Sequence, residues 1–308
     1  MPKYIRRSLL NIVLNEPTLT DNLVNNNADA VILDVAKALK DSRFPFTEIE
    51  MSALVTAAAN SGAEVFVKIN PDTFAADLEK TIFPGLTGVV IPGIESAEET
   101  SELDGALEEM ESWRGIPAGT LQIDAELSTP LGVWNSLEIA RASSRMAALT
   151  VGETGLYYTL GLDPTATLDF DPLELIKFQL ITNATAAGIQ AQGMSYPLSI
   201  TMEDAGAAKL AKAVKLARDM GFKGAVCQRE SWVKTCNEGF CPSPEEMAYY
   251  RKVRGVFAEG LRRGLASVPL EGRMIDTPVD LRAKVFLEWG DRVAARDAEK
   301  AKAARSSK

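Results

Sequence analysis

Short apolar runs alternate with longer amphipathic stretches along most of this chain. The first, SLLNIVL at residues 8–14, is apolar almost throughout, the pattern of a strand buried on both faces. Similar runs recur at 28–35 (ADAVILDV, ending on Asp34), 64–70 (EVFVKIN, ending on Lys68 and Asn70) and 88–96 (GVVIPGIES). Others follow at 121–128 (LQIDAELS), 147–151 (AALTV), 189–197 (IQAQGMSYP) and 223–227 (KGAVC). Between them lie helical patterns: a polar-faced one at 18–27, then 46–62 with Thr47 as N-cap and Gly62 at its end, 72–85, and an acidic one at 96–113. After Thr129-Pro130-Leu131-Gly132 a helical segment runs to Ser143-Ser144, and further helices are predicted at 171–188, 205–221 and 243–264. The last has Ser243 as N-cap and Pro244 at its first position. Gly152-Glu153-Thr154-Gly155 reads as the turn that closes AALTV.

Strands alternating with helices, with no Pro/Gly/Ser-rich linker between them, predict a single (β/α)8 barrel over a doubly wound sheet. The barrel is expected over residues 1–267. A C-terminal extension of turn and helix follows at 268–296, and a charged, disordered tail at 297–308. In such a barrel the C-terminal strand ends carry the chemistry, which points to Ser128 and to Thr154-Gly155.

The chain has 308 residues, 46% of them hydrophobic, enough for a large core. A formal charge of −9 argues against nucleic-acid and anionic-membrane partners, and no apolar run reaches the length of a membrane span. The three cysteines, Cys227, Cys236 and Cys241, fit neither a disulfide framework nor paired zinc spacing, so a reducing cytoplasmic setting is expected. Histidine is absent, which removes Ser-His-Asp and Cys-His catalysis and His-ligated metals. Acid–base work must then use carboxylates, lysine, tyrosine, cysteine or water.

The ordered set RRSLL, ADAVILD, VKIN, GVVIPGIESAEE, STPLGVWNSLEIARASSRMAALTVG, ARDMGFKGAV, NEGFCPSPEEMAYYRKV and GRMIDTPV resembles the HpcH/HpaI aldolase and citrate lyase beta-subunit superfamily over residues 5–285. The resemblance implies a TIM barrel that cleaves or forms carbon–carbon bonds beside a carbonyl. A magnesium ion held by a Glu and an Asp, an enolate-steadying arginine and an aspartate from a neighbouring subunit would do the chemistry.

This chain departs from that pattern. Ser128 stands at the metal Glu of the I-E-T-P motif and Gly155 at the metal Asp of G-A-E-D-L. Lys68 replaces the arginine, Gly93 replaces a lysine, and Ala36 and Lys37 replace two acids. Leu14-Asn15 stands where a nucleotide-associated P-G is usual, which puts standard CoA binding in doubt, and Gln228 falls near the family's late histidine. Asp34, Asn70, Glu95, Thr129, Pro130 and Asp276 are kept. No cofactor is fixed by the residues, and magnesium stays open although its usual ligands are replaced.

Residues two apart on a strand share a face. Glu126 and Glu153 therefore face with the lost ligands, about 6–7 Å deeper, with Asp124 beside them. They offer either a relocated cation site or a buried carboxylate layer paired with Lys68 or an arginine. Lys68 is read as a fixed positive charge for an enolate or carboxylate in preference to a Schiff-base amine. Asp276 in GRMIDTP is either a base contributed across a subunit interface or a helix N-cap ahead of Pro278. Asp34 is a third catalytic candidate, and Asn70, Ser128, Thr129, Pro130, Thr154 and Gly155 are expected to contact substrate. Ser195, Tyr196, Cys227, Gln228 and Trp232 lie near strand ends, where pocket lining and simple packing both remain open; Cys227 has no partner that would make it a nucleophile.

The expected activity is that of a carbon–carbon lyase acting, without the usual magnesium pair, on a small hydroxy-acid, oxo-acid or acyl thioester. The alternatives are a pseudoenzyme that keeps the pocket but only binds a ligand or partner protein, and a barrel turned to another lyase or hydrolase step. By the same resemblance the chain is expected to form a homotrimer or homohexamer.

Overall fold

The computed structural model describes residues 5–14, 23, 26–40, 44–163, 170–194 and 206–306, the last three of these by backbone alone. The helix expected at 18–27 falls largely outside the described residues.

Eight strands form one parallel sheet: β1 Ser8–Val13, β2 Ala30–Asp34, β3 Glu64–Lys68, β4 Gly88–Pro92, β5 Gln122–Leu127, β6 Met146–Val151, β7 Gln190–Gln192 and β8 Ala225–Cys227. Neighbours in sequence are neighbours in the sheet, β8 pairs with β1, and a parallel bridge between Gln192 and Gly224 joins β7 to β8. The sheet therefore closes into the expected (β/α)8 barrel. The helices between strands are α1 Ala36–Leu39, α2 Glu48–Asn60, α3 Phe74–Thr81, α4 Ala97–Arg114, α5 Pro130–Trp134, α6 Ser136–Arg141, α7 Glu153–Leu160, α8 Glu174–Ala187, α9 Ala207–Met220 and α10 Glu230–Gly239.

Local sequence explains the helix boundaries. Thr47 and Glu50 form a reciprocal capping box at the start of α2, and Ser96 caps α4. Three helices lie outside the predicted set, the first being the short α1. Helix α7 occupies the stretch read as a closing turn, and α10 covers ESWVKTCNEG.

Strand alternation sorts side chains between the outer core and the barrel interior. Leu9, Ala30, Ile32, Phe66 and Val90 pack together inside, joined by Val226. The other face of the sheet carries the main core against the helices, including Leu33, Val67, Ile91, Leu127 and Leu149.

The chain divides into two compact units, residues 2–240 with 300–308, and residues 241–299. The second unit holds α11 Pro244–Arg262, a hairpin of β9 Val268–Leu270 and β10 Arg273–Ile275, and the first part of α12 Thr277–Ser306. There α11 buries Val253 and Phe257 against Val268, Ile275 and Ala283 in a small core of that unit. Arg254 pairs with Asp280 there, and the Tyr250 and Phe286 rings lie 4.7 Å apart.

The tail expected to be disordered from 297 is helical as far as Ser306. Lys300 is buried, and its Nζ donates to Asp29 Oδ1 at 2.6 Å and to the Asn27 carbonyl at 3.0 Å. These charge-assisted bonds offset the fraying that composition alone predicts. Burial alone would raise the Asp29 carboxyl, but Arg7 and Lys300 outweigh it and hold the group below its ordinary value.

Candidate functional site

A polar column rises through the barrel. At its foot the buried Arg6 guanidinium lies 4.6 Å over the Phe66 ring and donates to Glu64 Oε2 and Gln122 Oε1, each at 2.5 Å. Above it Asp124 is buried on β5. Thr150 Oγ1 lies 2.7 Å from Asp124 Oδ1 and 2.9 Å from Gln192 Oε1. One hydroxyl proton cannot serve two acceptors. A proton on Asp124, or a Gln192 amide turned over, satisfies the chain. Burial pushes the Asp124 carboxyl up to about 6, against the lowering effect of Thr150.

At the top of the column Lys68 Nζ donates to Glu126 Oε2 at 2.6 Å. The two stand on β3 and β5, with the short Val90 in register with Lys68 on the strand between. Both are about one-fifth exposed. They face a cavity of about 460 Å³ walled also by Asn11, Ser128, Thr150, Gly152, Thr154, Gly155, Gln228 and Trp232. These residues lie at or just past the C-terminal ends of their strands, the end where a barrel of this kind carries its chemistry.

The structure brings some expected site residues to this cavity and leaves others away from it. Lys68, Glu126, Ser128, Thr154 and Gly155 line it. Asp34 stands beside it, 3.3 Å from Asn11 Nδ2, and also accepts from the Ala36 amide. Asn70 is buried, with Nδ2 donating to the Ala36 carbonyl at 3.0 Å and to Asp77 Oδ2 at 3.1 Å, so its amide holds the loop after β3 in place. Thr129 Oγ1 accepts from the Gly132 amide as the cap of α5, and Pro130 is that helix's first residue. Neither is on the cavity wall.

Asp276, in the other unit, accepts from the Val279 amide at 3.2 Å, the contact of a helix cap on α12. Gln228 and Trp232 line the cavity. Cys227 does not, and the neighbouring Cys236 thiol together with burial pushes its own thiol up, away from thiolate chemistry. Asn15, Ser195 and Tyr196 lie outside the described residues.

Glu153 requires a correction. The strand ends at Val151, and Glu153 begins α7, so the period-two reasoning that placed it beside Glu126 does not apply. Its carboxylate pairs with the buried Lys177 on α8, which also donates to Asp171 at 2.7 Å. Glu126 and Glu153 thus each hold a separate lysine. Asp124 does share the inward face with Glu126, as alternation predicts.

The two positions that carry metal ligands in the resembled pattern, Ser128 and Gly155, are packed directly on each other. A Cβ added to Gly155 would meet the Ser128 Cβ at 2.6 Å and its carbonyl at 2.7 Å; one added to Gly152 would meet the same Cβ at 2.7 Å. Among the described residues no group of three or more His, Cys, Asp or Glu is placed to hold a metal ion. The residues present at this place do not fit a carboxylate-held magnesium ion.

Asn11, Thr150 and Gln192 also contribute, and no motif marks them. Each is a polar residue on the inward phase of its strand, so alternation alone pointed to them. They were hidden because β1 and β6 read as buried on both faces and β7 is only three residues long.

The family model described as HpcH/HpaI aldolase/citrate lyase matches residues 7–229. The citrate lyase subunit beta of Haemophilus influenzae is 25% identical over 287 residues, which cover 92% of this chain and 96% of that protein. Among solved structures, a citrate lyase from Burkholderia xenovorans LB400 superposes with a TM-score of 0.76 at 12% identity, covering 95% of each chain. Protein CitE from Mycobacterium tuberculosis, in complex with magnesium, acetoacetate and coenzyme A, gives 0.64 at 23% identity, with 92% of this chain and 97% of that one covered.

Proposed function

We propose that this chain, which belongs to the HpcH/HpaI aldolase/citrate lyase family, is a carbon–carbon lyase that works on a small hydroxy-acid, oxo-acid or acyl-thioester substrate without a carboxylate-held metal. The observation that carries this reading is the Lys68–Glu126 pair, at 2.6 Å, on the floor of a cavity at the C-terminal strand ends. A lyase of this kind must hold the charge that develops on a carbonyl oxygen when the adjacent bond breaks. A fixed ammonium in a partly desolvated site does that without reorganising. The Lys68 nitrogen is engaged by the Glu126 carboxylate at 2.6 Å, which favours an electrostatic role over attack as a Schiff-base amine.

Carboxylates near the cavity are the candidates for proton transfer. Asp34, joined to the cavity wall through Asn11, and Asp276, reaching in from a neighbouring subunit, are the residues to which the resemblance points. Ser128, Thr154 and the amides around Gly155 would bind the rest of the substrate. The CitE complex from Mycobacterium tuberculosis contains coenzyme A, so the comparisons lend no support to the doubt about CoA, and acyl thioesters belong in the substrate panel.

The packing of Ser128 on Gly155 favours one second reading, a pseudoenzyme that binds its ligand without turning it over. A panel of hydroxy-acids, oxo-acids and acyl thioesters, assayed for cleavage and for thermal stabilisation in the presence of EDTA, separates the two. Cleavage supports the lyase; stabilisation with no product supports the binding protein.

Self-association is part of the proposal. Trp134 (78% exposed), Tyr158 (88%) and Leu175 (84%) stand on α5, α7 and α8, which suits a trimer or hexamer contact. Light scattering that gives a monomer at micromolar concentration would remove this part, and with it Asp276 acting across subunits.

A further inference from the structure

We infer that the Lys68–Glu126 pair receives an uncharged carbonyl–hydroxyl group of the ligand and rejects a carboxylate at the same place. The inference rests on the lyase reading of this cavity and narrows its substrate class.

Lys68 is the only lysine or arginine among the described residues that wall the cavity. Glu126 already balances its charge at 2.6 Å. The second carboxylate on the wall, Glu153, shares Lys177 with Asp171, so that group contributes one net negative charge when all three are ionised. Asn11, Ser128, Thr150, Thr154 and Gln228 supply neutral donors and acceptors. A ligand carboxylate approaching the ammonium would come to rest against Glu126, and like charges in a partly desolvated site repel strongly. The amides at the start of α7 accommodate a carbonyl oxygen as readily as a carboxylate, so the pair makes the discrimination.

An ammonium and a carboxylate side by side present both halves of a hydrogen-bonding match to a neutral β-hydroxy-carbonyl group. The ammonium has two N–H bonds besides the one given to Glu126, and the carbonyl oxygen accepts from one of them. The hydroxyl donates to the Glu126 carboxylate.

The same arrangement balances the cleavage. Glu126 takes the hydroxyl proton, the oxygen's electron pair closes a new carbonyl, and the carbon–carbon bond breaks. Its electrons pass into the original carbonyl to give an enolate held by Lys68. Returning the proton from Glu126 to the enolate carbon leaves two carbonyl products and the starting protein. Glu126 then stands beside Asp34 and Asp276 as a candidate base, within the same subunit as the cavity. Remote parts of the substrate, including a thioester carrier, remain free to bear charge.

The test uses two ligands that differ in charge and little else: diacetone alcohol, a neutral β-hydroxy ketone, and β-hydroxyisovalerate, with a carboxylate in place of its acetyl group. Binding is measured by calorimetry for the wild-type protein and for Glu126→Gln, with malate and citrate as further carboxylates and product assayed in the same samples. The wild type should bind diacetone alcohol at least tenfold more tightly than β-hydroxyisovalerate. Glu126→Gln, which frees the ammonium, should reverse that order.

Tighter binding of the carboxylates by the wild type, no binding of either class, or an unchanged preference in a folded Glu126→Gln protein would overturn the inference. The wild-type comparison stands even if the variant does not fold. Preference for the neutral ligand with no cleavage removes the lyase reading and leaves the inference; cleavage of malate or citrate with carboxylate preference does the reverse.

Discussion

Gly155 and Ser128 touch so closely that a Cβ on the glycine would lie 2.6 Å from the serine Cβ. A side chain at position 155 is therefore limited by space. The Gly152 amide after β6 donates to the Leu127 carbonyl at the end of β5 at 3.0 Å, which holds the two backbones together beside the cavity.

Restoring the ligands should accordingly fail. Gly155→Asp, alone or with Ser128→Glu, overpacks this contact and is expected to lower stability by about 1–3 kcal/mol. Neither variant should gain magnesium binding. Urea unfolding and magnesium titration calorimetry check the two halves. A stable double variant that binds magnesium stoichiometrically would show that the gap opens readily.

Lys300 reaches back 271 residues to Asp29. Lys300→Met leaves a buried carboxylate with Arg7 as its remaining cation among those that lower it, at a cost of about 3 kcal/mol. The pH dependence has a definite sign. A carboxyl held below its ordinary value stabilises the fold above the unfolded pKa and loses that contribution as pH falls through the folded one. With one cation gone the folded value rises, so acid unfolding of Lys300→Met should begin at higher pH than in the wild type. Circular dichroism followed through an acid titration measures it; coincident curves would mean that the tail contact contributes nothing.

Asp124 behaves in the opposite sense. Its carboxyl is raised to about 6 from 3.8 by burial. The stability gained by keeping the proton is full below the unfolded value and is lost as pH rises through about 6, a change of about 3 kcal/mol. Asp124→Asn stays neutral throughout. Relative to the wild type it should be close to equal at pH 4 and more stable at pH 8, as read from urea midpoints at the two pH values. The same difference at both would mean that Asp124 does not change protonation across that range.

The sequence revealed the barrel because eight buried runs were spaced at the interval of strand and helix, and because capping residues such as Thr47, Ser96 and Ser243 mark helix starts locally. Lys68, Glu126 and Ser128 were legible for the same reason, as each stands at a strand end. What stayed hidden depends on long-range contact. Glu153 begins α7 and pairs with Lys177 on α8, a contact that no local pattern announces. Asn70 looks like a site residue until Asp77 and the Ala36 carbonyl take its amide. The tail reads as solvated charge until Asp29, at the far end of the chain, accepts Lys300.

In the proposed reaction the Lys68 ammonium holds the enolate charge. The most direct test is the cleavage rate of the best substrate in the panel, measured in EDTA and in excess magnesium for the wild type, Lys68→Arg and Lys68→Met. The expected result is equal wild-type rates in the two buffers, a loss of about a hundredfold or more in Lys68→Met, and partial recovery in Lys68→Arg. A wild-type rate that vanishes in EDTA and returns with magnesium, or a Lys68→Met protein that cleaves as fast as the wild type, would contradict it.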